Sequence, residues 1–141
     1  MEIKLAKTDK EISLCYRVMQ ELRPEISIDE FLPRIRNQEK SGYKIAFGSE
    51  DGEPVSIAGF RISENLAWSR FLYVDDLVTL DAMRSRGFGS SLLAWLKQYA
   101  KDNDCFELHL DSGLQRKQAH KFYERKKIQA SGYHFFTKID S

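Results

Sequence analysis

The chain has 141 residues, enough for one domain with its own core and no need of disulfides. Its 22 Lys and Arg nearly balance 21 Asp and Glu, leaving a net charge of +1, which excludes a global field that would gather nucleic acid or anionic lipid. The N-terminus is charged from Glu2 and no apolar run approaches the ~20 residues of a membrane-spanning helix, so the expectation is a single domain over residues 1–141, cytoplasmic, with no membrane and no nucleic-acid partner.

Glu2 to Ala6 alternates charged and apolar residues as a half-buried edge strand does. Thr8 or Asp9 is placed to cap a helix, and Ile12, Cys15, Tyr16, Met19 and Leu22 form one apolar stripe from Glu11 to Leu22. Arg23-Pro24 ends it, because a residue before proline is biased away from the helical region. Ser27 to Glu30 resembles a capping segment for a short second helix to about Gln38. Tyr43 to Phe47 and Pro54 to Ile62 read as two strands around the polar turn Gly48 to Gly52, and Gly59 suggests a bulge or a close backbone approach.

Phe71 to Leu80 reads as the central strand, Gly87 to Asn103 as a helix and Cys105 to Ser112 as a strand parallel to the central one across a right-handed crossover. Gln115 to Lys126 reads as a last helix and Tyr133 to Ile139 as a closing strand. The order β-α-α-β-β-β-α-β-α-β describes an α/β, or α+β, mixed sheet. Cys15 and Cys105 fall in apolar-periodic segments and are expected as buried free thiols. His109, His120 and His134 lack metal-ligand spacing, so no metal is expected.

After the central strand comes the compact run Arg84-Ser85-Arg86-Gly87-Phe88-Gly89-Ser90, opening directly into a helix. Glycines there let an anion approach main-chain N–H groups at the positive end of the helix dipole, and Arg84, Arg86, Ser90 and Ser91 add donors for phosphate oxygens. A bare glycine pair is equally at home in a tight turn. Neither the dinucleotide fingerprint nor a nucleoside triphosphate loop fits, since Leu92 stands where the third glycine is needed and no Gly-Lys-Ser/Thr occurs.

The run Leu77-Val78-Thr79 with Arg84 to Gly89 resembles the acetyl-CoA signature of the GNAT superfamily of N-acetyltransferases, and Ala119 to Glu124 resembles its later Ala-x-x-Phe-Tyr-Glu motif. Arg116 stands in place of that motif's usual Asn, and Lys127-Ile128 in place of the common Gly-Phe. The resemblance implies a central mixed, mostly antiparallel sheet of about six to seven strands with about four helices. It also implies acetyl-CoA as co-substrate, an amine acceptor, and a homodimer as one expected assembly. Leu77, Val78 and Thr79 would pair with the pantetheine arm, Arg84, Ser85, Arg86, Gly87, Phe88, Gly89 and Ser90 would cradle the pyrophosphate, and Arg116 would sit near the arm.

An attacking amine must be neutral, yet a lysine-like amine is only about 0.04% neutral at pH 7. Asp75 and Asp76 are therefore the candidate bases or water relays, Asp75 slightly ahead; each would otherwise cap a turn or pair with a basic neighbour. Adjacent carboxylates repel, so one of them is expected to have a raised pKa. Ideal strand geometry sends the two to opposite faces unless the strand bulges. The resemblance makes Tyr123 the general acid, where the residues alone suggest an amphipathic core tyrosine with a wet hydroxyl. Two aspartates at this point favour a cationic primary amine, whether of a small metabolite, a drug-like amine or a protein lysine. The competing functions are a CoA-binding regulatory module without transferase activity and a non-enzymatic interaction domain on the same fold.

Overall fold

The computed structural model describes residues 1–139. They form two compact units, Met1–His109 and a second beginning at Leu110. The first holds strand β1 (Glu2–Leu5), helices α1 (Asp9–Leu14), α2 (Tyr16–Leu22) and α3 (Ile28–Glu39), strands β2 (Lys44–Glu50), β3 (Glu53–Asn65) and β4 (Ser69–Thr79), and helix α4 (Phe88–Asp102). Strand β5 (Glu107–Leu110) follows, and the second unit carries helix α5 (Lys117–Arg125). The strands form one sheet in the order β1-β2-β3-β4-β5, with β1 to β4 antiparallel neighbours. This is a mixed α/β architecture, with five strands among the described residues.

Local chemistry sets most element boundaries. Thr8 and Ser27 each accept a hydrogen bond from the N–H three residues on, and the Glu11 and Glu30 carboxylates accept one from the cap residue's own N–H, so α1 and α3 both begin in capping boxes. The expected helix from Glu11 to Leu22 is two helices, since the bonding pattern changes at the fully buried Cys15, whose N–H reaches Ile12 rather than Glu11. Arg23 leaves the helical region at φ −123° before Pro24, as the pre-proline restriction requires. Asp51 and Gly52 both adopt positive φ, the geometry that closes the two-residue β2–β3 hairpin.

Two apolar layers flank the sheet. On one face Ile45, Phe47, Val55, Ile57 and Val78 pack with Ile12, Val18, Met19, Phe31 and Ile35 from α1 to α3. On the other, Phe60 is fully buried and meets Trp95 and Tyr99 of α4 edge to face, at centroid distances of 6.2 and 5.3 Å. Truncating such a ring costs about 3–5 kcal/mol. Cys15 and Cys105 are free, the first buried with its thiol pushed up to about 12 by desolvation, the second only half-buried.

The closing strand expected over Tyr133 to Ile139 does not form. Those residues have no regular structure, and Tyr133, Phe135, Phe136 and Ile139 are 77% to 89% exposed. Apolar alternation supplies one stripe for burial, but a strand also needs a hydrogen-bonded neighbour and a surface to cover that stripe.

Candidate active site

The β3–β4 ladder shifts register between Gly59 and Phe60: Gly59 faces Asp76 and Phe60 faces Val74, leaving Asp75 as an extra residue in β4. This bulge decides where the two aspartates point. Val74 and Phe60 belong to the α4 face, while Asp76 shares the opposite face with Val78. The extra residue lets Asp75 turn to that same face, where it meets Arg61, two positions along β3 from Gly59. Adjacent carboxylates thus stand side by side.

Each is held by an arginine. Arg23, freed by the end of α2, sets its Nε 3.0 Å and its Nη2 2.8 Å from Asp76 Oδ1, and its Nη2 also donates to the main-chain oxygen of Asp75 at 3.2 Å. The Tyr43 hydroxyl donates to Asp76 Oδ2 at 2.7 Å. Arg61 reaches Asp75 Oδ2 through Nε at 2.8 Å and Nη2 at 2.7 Å, with Nη2 also donating to Gln38 and the guanidinium lying over the Tyr43 ring. A Cβ at Gly59 would fall on the Tyr43 hydroxyl, so only glycine there leaves room for the Tyr43–Asp76 bond.

Burial raises the Asp75 carboxyl above its ordinary value; Arg61 opposes the rise and the charge of Asp76 adds a smaller push. The expected shift is present, but desolvation drives it rather than carboxylate repulsion. Burial and the Asp76 carboxylate push Tyr43 well above the usual phenol range, so it stays protonated and donating. The excess negative charge that favoured a cationic acceptor is absent: two guanidiniums match two carboxylates.

Downstream, β4 runs toward the loop. The hydroxyls of the fully buried Ser56 and of Thr79 lie 2.8 Å apart, tying this end of β4 to β3. On the other edge, β5 has four residues and the segment entering it is anchored where the Phe106 N–H donates to Arg70 at 2.8 Å. It therefore runs out before Leu77 in either direction, and the main-chain edge of Leu77, Val78 and Thr79 extends past it.

The loop then builds a helix start with no side-chain cap. Gly87 adopts φ +84° as N-cap of α4, and no heavy atom lies within 4 Å of where its Cβ would be. The first intrahelical bond, Ser91 N–H to Gly87 oxygen, leaves the N–H groups of Phe88, Gly89 and Ser90 without an intrahelical acceptor. Ser85 also takes a positive φ of 66°. Exposed Arg84 pairs with Asp81 at 3.2 Å. Arg86 lies 3.5 Å from Glu50, contacts the Met83 sulfur and covers the Phe88 ring. Open space before a glycine, free N–H groups and two accessible guanidiniums fit a diphosphate. Glu21, near the end of α2, accepts from the Asp81 N–H at 2.8 Å.

In the second unit, Arg116 is the N-cap residue of α5 and Tyr123 lies on that helix beside Phe122. Burial raises the Tyr123 hydroxyl above its ordinary value, partly offset by Arg116. Lys117, Lys121 and Arg125 are exposed, as a solvated basic face requires. His120 bonds the Gly113 oxygen and His134 approaches Asp111. In the first unit His109 stacks on Trp68 at 3.5 Å and bonds Glu107. No group of three or more His, Cys, Asp or Glu able to hold a metal occurs among the described residues, and no helix there is long and apolar enough to cross a membrane.

The sequence profile of the Acetyltransferase (GNAT) family matches residues 8–127. The chain is a member of the GNAT family. Among its relatives is YhdJ, an uncharacterized N-acetyltransferase of Bacillus subtilis (strain 168), 31% identical over 127 residues that span 89% of each chain. The aminoalkylphosphonate N-acetyltransferase of Salmonella typhimurium (strain LT2) is 29% identical over 94 residues, 66% of this chain and 60% of that one. The fold also matches the aminoglycoside N-acetyltransferase AAC(6')-Iy in complex with CoA, at a TM-score of 0.86 with 14% identity, over 99% of this chain and 96% of that one. This GNAT chain is an N-acetyltransferase.

Sequence reasoning missed Arg23, Tyr43 and Arg61 as site residues. Arg61 left a trace, a charge inside the otherwise apolar run Ile57 to Ile62, and Arg23 stands at a helix end that Pro24 turns aside. Tyr43 looks like any strand aromatic. Of the other aromatics, Tyr16 bonds the Ile26 oxygen and packs on Phe31, Trp68 stacks on His109, and Tyr133 is exposed.

Proposed function

We propose that this GNAT N-acetyltransferase moves the acetyl group of acetyl-CoA directly to a primary amine of a small molecule, in the cytoplasm. The observation that carries the reading is the continuity of three parts along residues 75–90: a bulge presenting two carboxylates, a strand end with an open main-chain edge, and an uncapped helix start. Acetyl-CoA would supply an activated acyl group as a thioester. Leu77, Val78 and Thr79 would hold its extended arm by main-chain pairing, and Arg84, Ser85, Arg86, Gly87, Phe88, Gly89 and Ser90 its diphosphate. Arg116 would contact the arm in the place of the family's asparagine.

Asp75, through its raised pKa, is the preferred acceptor of the amine proton, directly or through a water, and Asp76 fixes the approach of the amine. Tyr123, kept protonated by burial, would donate a proton to the departing sulfur. The C–N bond forms as the C–S bond breaks, so one proton leaves the amine and one reaches the thiolate. Most of the rate enhancement would come from holding amine and thioester together, where effective molarities reach ~10⁵ M or more.

Thermal unfolding with and without acetyl-CoA tests the cofactor half. At 100 times the dissociation constant the stabilisation should be about 2.7 kcal/mol. No shift at millimolar acetyl-CoA would end the proposal. Thiol release across a panel of amines tests the transfer half, and a shift without transfer to any amine would leave a CoA-binding module instead.

A further inference from the structure

We infer that the acceptor carries an anionic group close to its amine, and that Arg23 selects it. The inference rests on the proposed amine acetylation and names its substrate class. The Arg23 side chain is 42% exposed and that of Asp76 beneath it 12%, while Arg61 and Asp75 are 29% and 25% exposed. The guanidinium of Arg23 therefore covers the carboxylate that an incoming amine must approach. Tyr43 occupies the other oxygen of Asp76 from the buried side, so the approach is through Arg23.

An acceptor that is only cationic meets two guanidiniums and a cluster already neutral. To reach Asp76 it must break the Arg23 pair and leave a guanidinium without its carboxylate, at like-charge distance from the new ammonium. An amine bearing a carboxylate or phosphonate avoids this cost. Its anionic group takes over Arg23, its amine takes over Asp76, and one ion pair is exchanged for two. Arg23 suits the exchange, since its planar fork can bind a carboxylate or phosphonate through two parallel N–H donors. Its position just past the end of α2, where the chain has left helical geometry, gives the side chain an anchor outside the sheet.

The test compares acceptors matched in shape: 3-aminopropanoate against 3-aminopropanamide, with 2-aminoethylphosphonate as a second acid and spermidine as a purely cationic amine. Thiol release is followed for the wild type and for Arg23→Gln. The wild type should favour each acid over the amide by tenfold or more in kcat/KM. Arg23→Gln should bring that ratio within about twofold, chiefly through a higher KM for the acids, while keeping the thermal shift given by acetyl-CoA. Equal or better use of the amide or spermidine by the wild type, no transfer to either acid, or an unchanged ratio in Arg23→Gln would each overturn the inference. Transfer to spermidine alone leaves amine acetylation standing and removes only the acid requirement; loss of the acetyl-CoA shift in the wild type removes the parent reading.

Discussion

Gly59 and Asp76 face each other across β3 and β4, and the side chain that Gly59 lacks is the space through which Tyr43 reaches the Asp76 carboxylate. Gly59→Ala is expected to destabilise the fold by about 1–3 kcal/mol through overpacking and to lower acetyl transfer by displacing the bond to Asp76. Tyr43→Phe should cost about 1–3 kcal/mol by leaving that oxygen unsatisfied. Because both changes act on one contact, the double variant should lose less than the sum of the two. Urea unfolding of the four proteins measures the coupling.

At Gly87 two effects can be separated. Gly87→Ala puts a Cβ into open space but forces a positive φ on an L residue, so it should cost about 1–2 kcal/mol of stability and keep the acetyl-CoA shift. Gly87→Glu adds a carboxylate where a diphosphate would lie and should abolish the shift. Retained binding in the glutamate variant would move the cradle elsewhere.

Glu50 competes for Arg86. Glu50→Gln should free the guanidinium for phosphate and tighten acetyl-CoA binding by up to about fivefold, the range of an exposed ion pair. The gain should shrink as salt rises. Titration calorimetry at two ionic strengths reads both.

Tyr123→Phe should lower kcat by about 10²- to 10⁴-fold with little change in acetyl-CoA affinity if the hydroxyl donates the proton. A stability loss with unchanged kcat would make Tyr123 a packing residue.

Two carboxyls give opposite pH signatures. Asp75 has a raised pKa, so as the base it loses its proton at a higher pH than an ordinary aspartate, and the acidic limb of kcat/KM should be displaced upward and vanish in Asp75→Asn. Glu11 is the reverse, lowered from 4.5 to about 2, first by its bonds from the Thr8 and Lys7 N–H groups. Its folded value lies below its unfolded one, so its contribution is present above about 4.5 and is lost as pH falls toward about 2. Glu11→Gln should flatten acid unfolding across that window, as followed by circular dichroism.

The route from Phe71 to Ala100 was legible because it is local: a β-branched and aromatic strand, a glycine loop and a helix follow one another without interruption. The caps at Thr8 and Ser27 and the stop at Pro24 were readable for the same reason. The partners of the aspartates were not. Arg23 and Arg61 arrive from other elements through a bulge that reorients one side chain, and adjacency in sequence predicts opposite faces where the fold delivers the same face. Tyr133 to Ile139 failed in the other direction, since an alternating pattern cannot report whether a neighbouring strand is there to pair with it.

Glu21 and Arg23 lie two residues apart at the end of α2, yet one holds the N–H of Asp81 at the head of the loop and the other holds Asp76. Any shift of that helix end that uncovers Asp76 also pulls on the loop leading to Gly87. Acceptor and cofactor would thus act on one moving part, and each must change the other's affinity by the same factor. Equilibrium binding of either ligand in the presence of the other measures that factor from both sides.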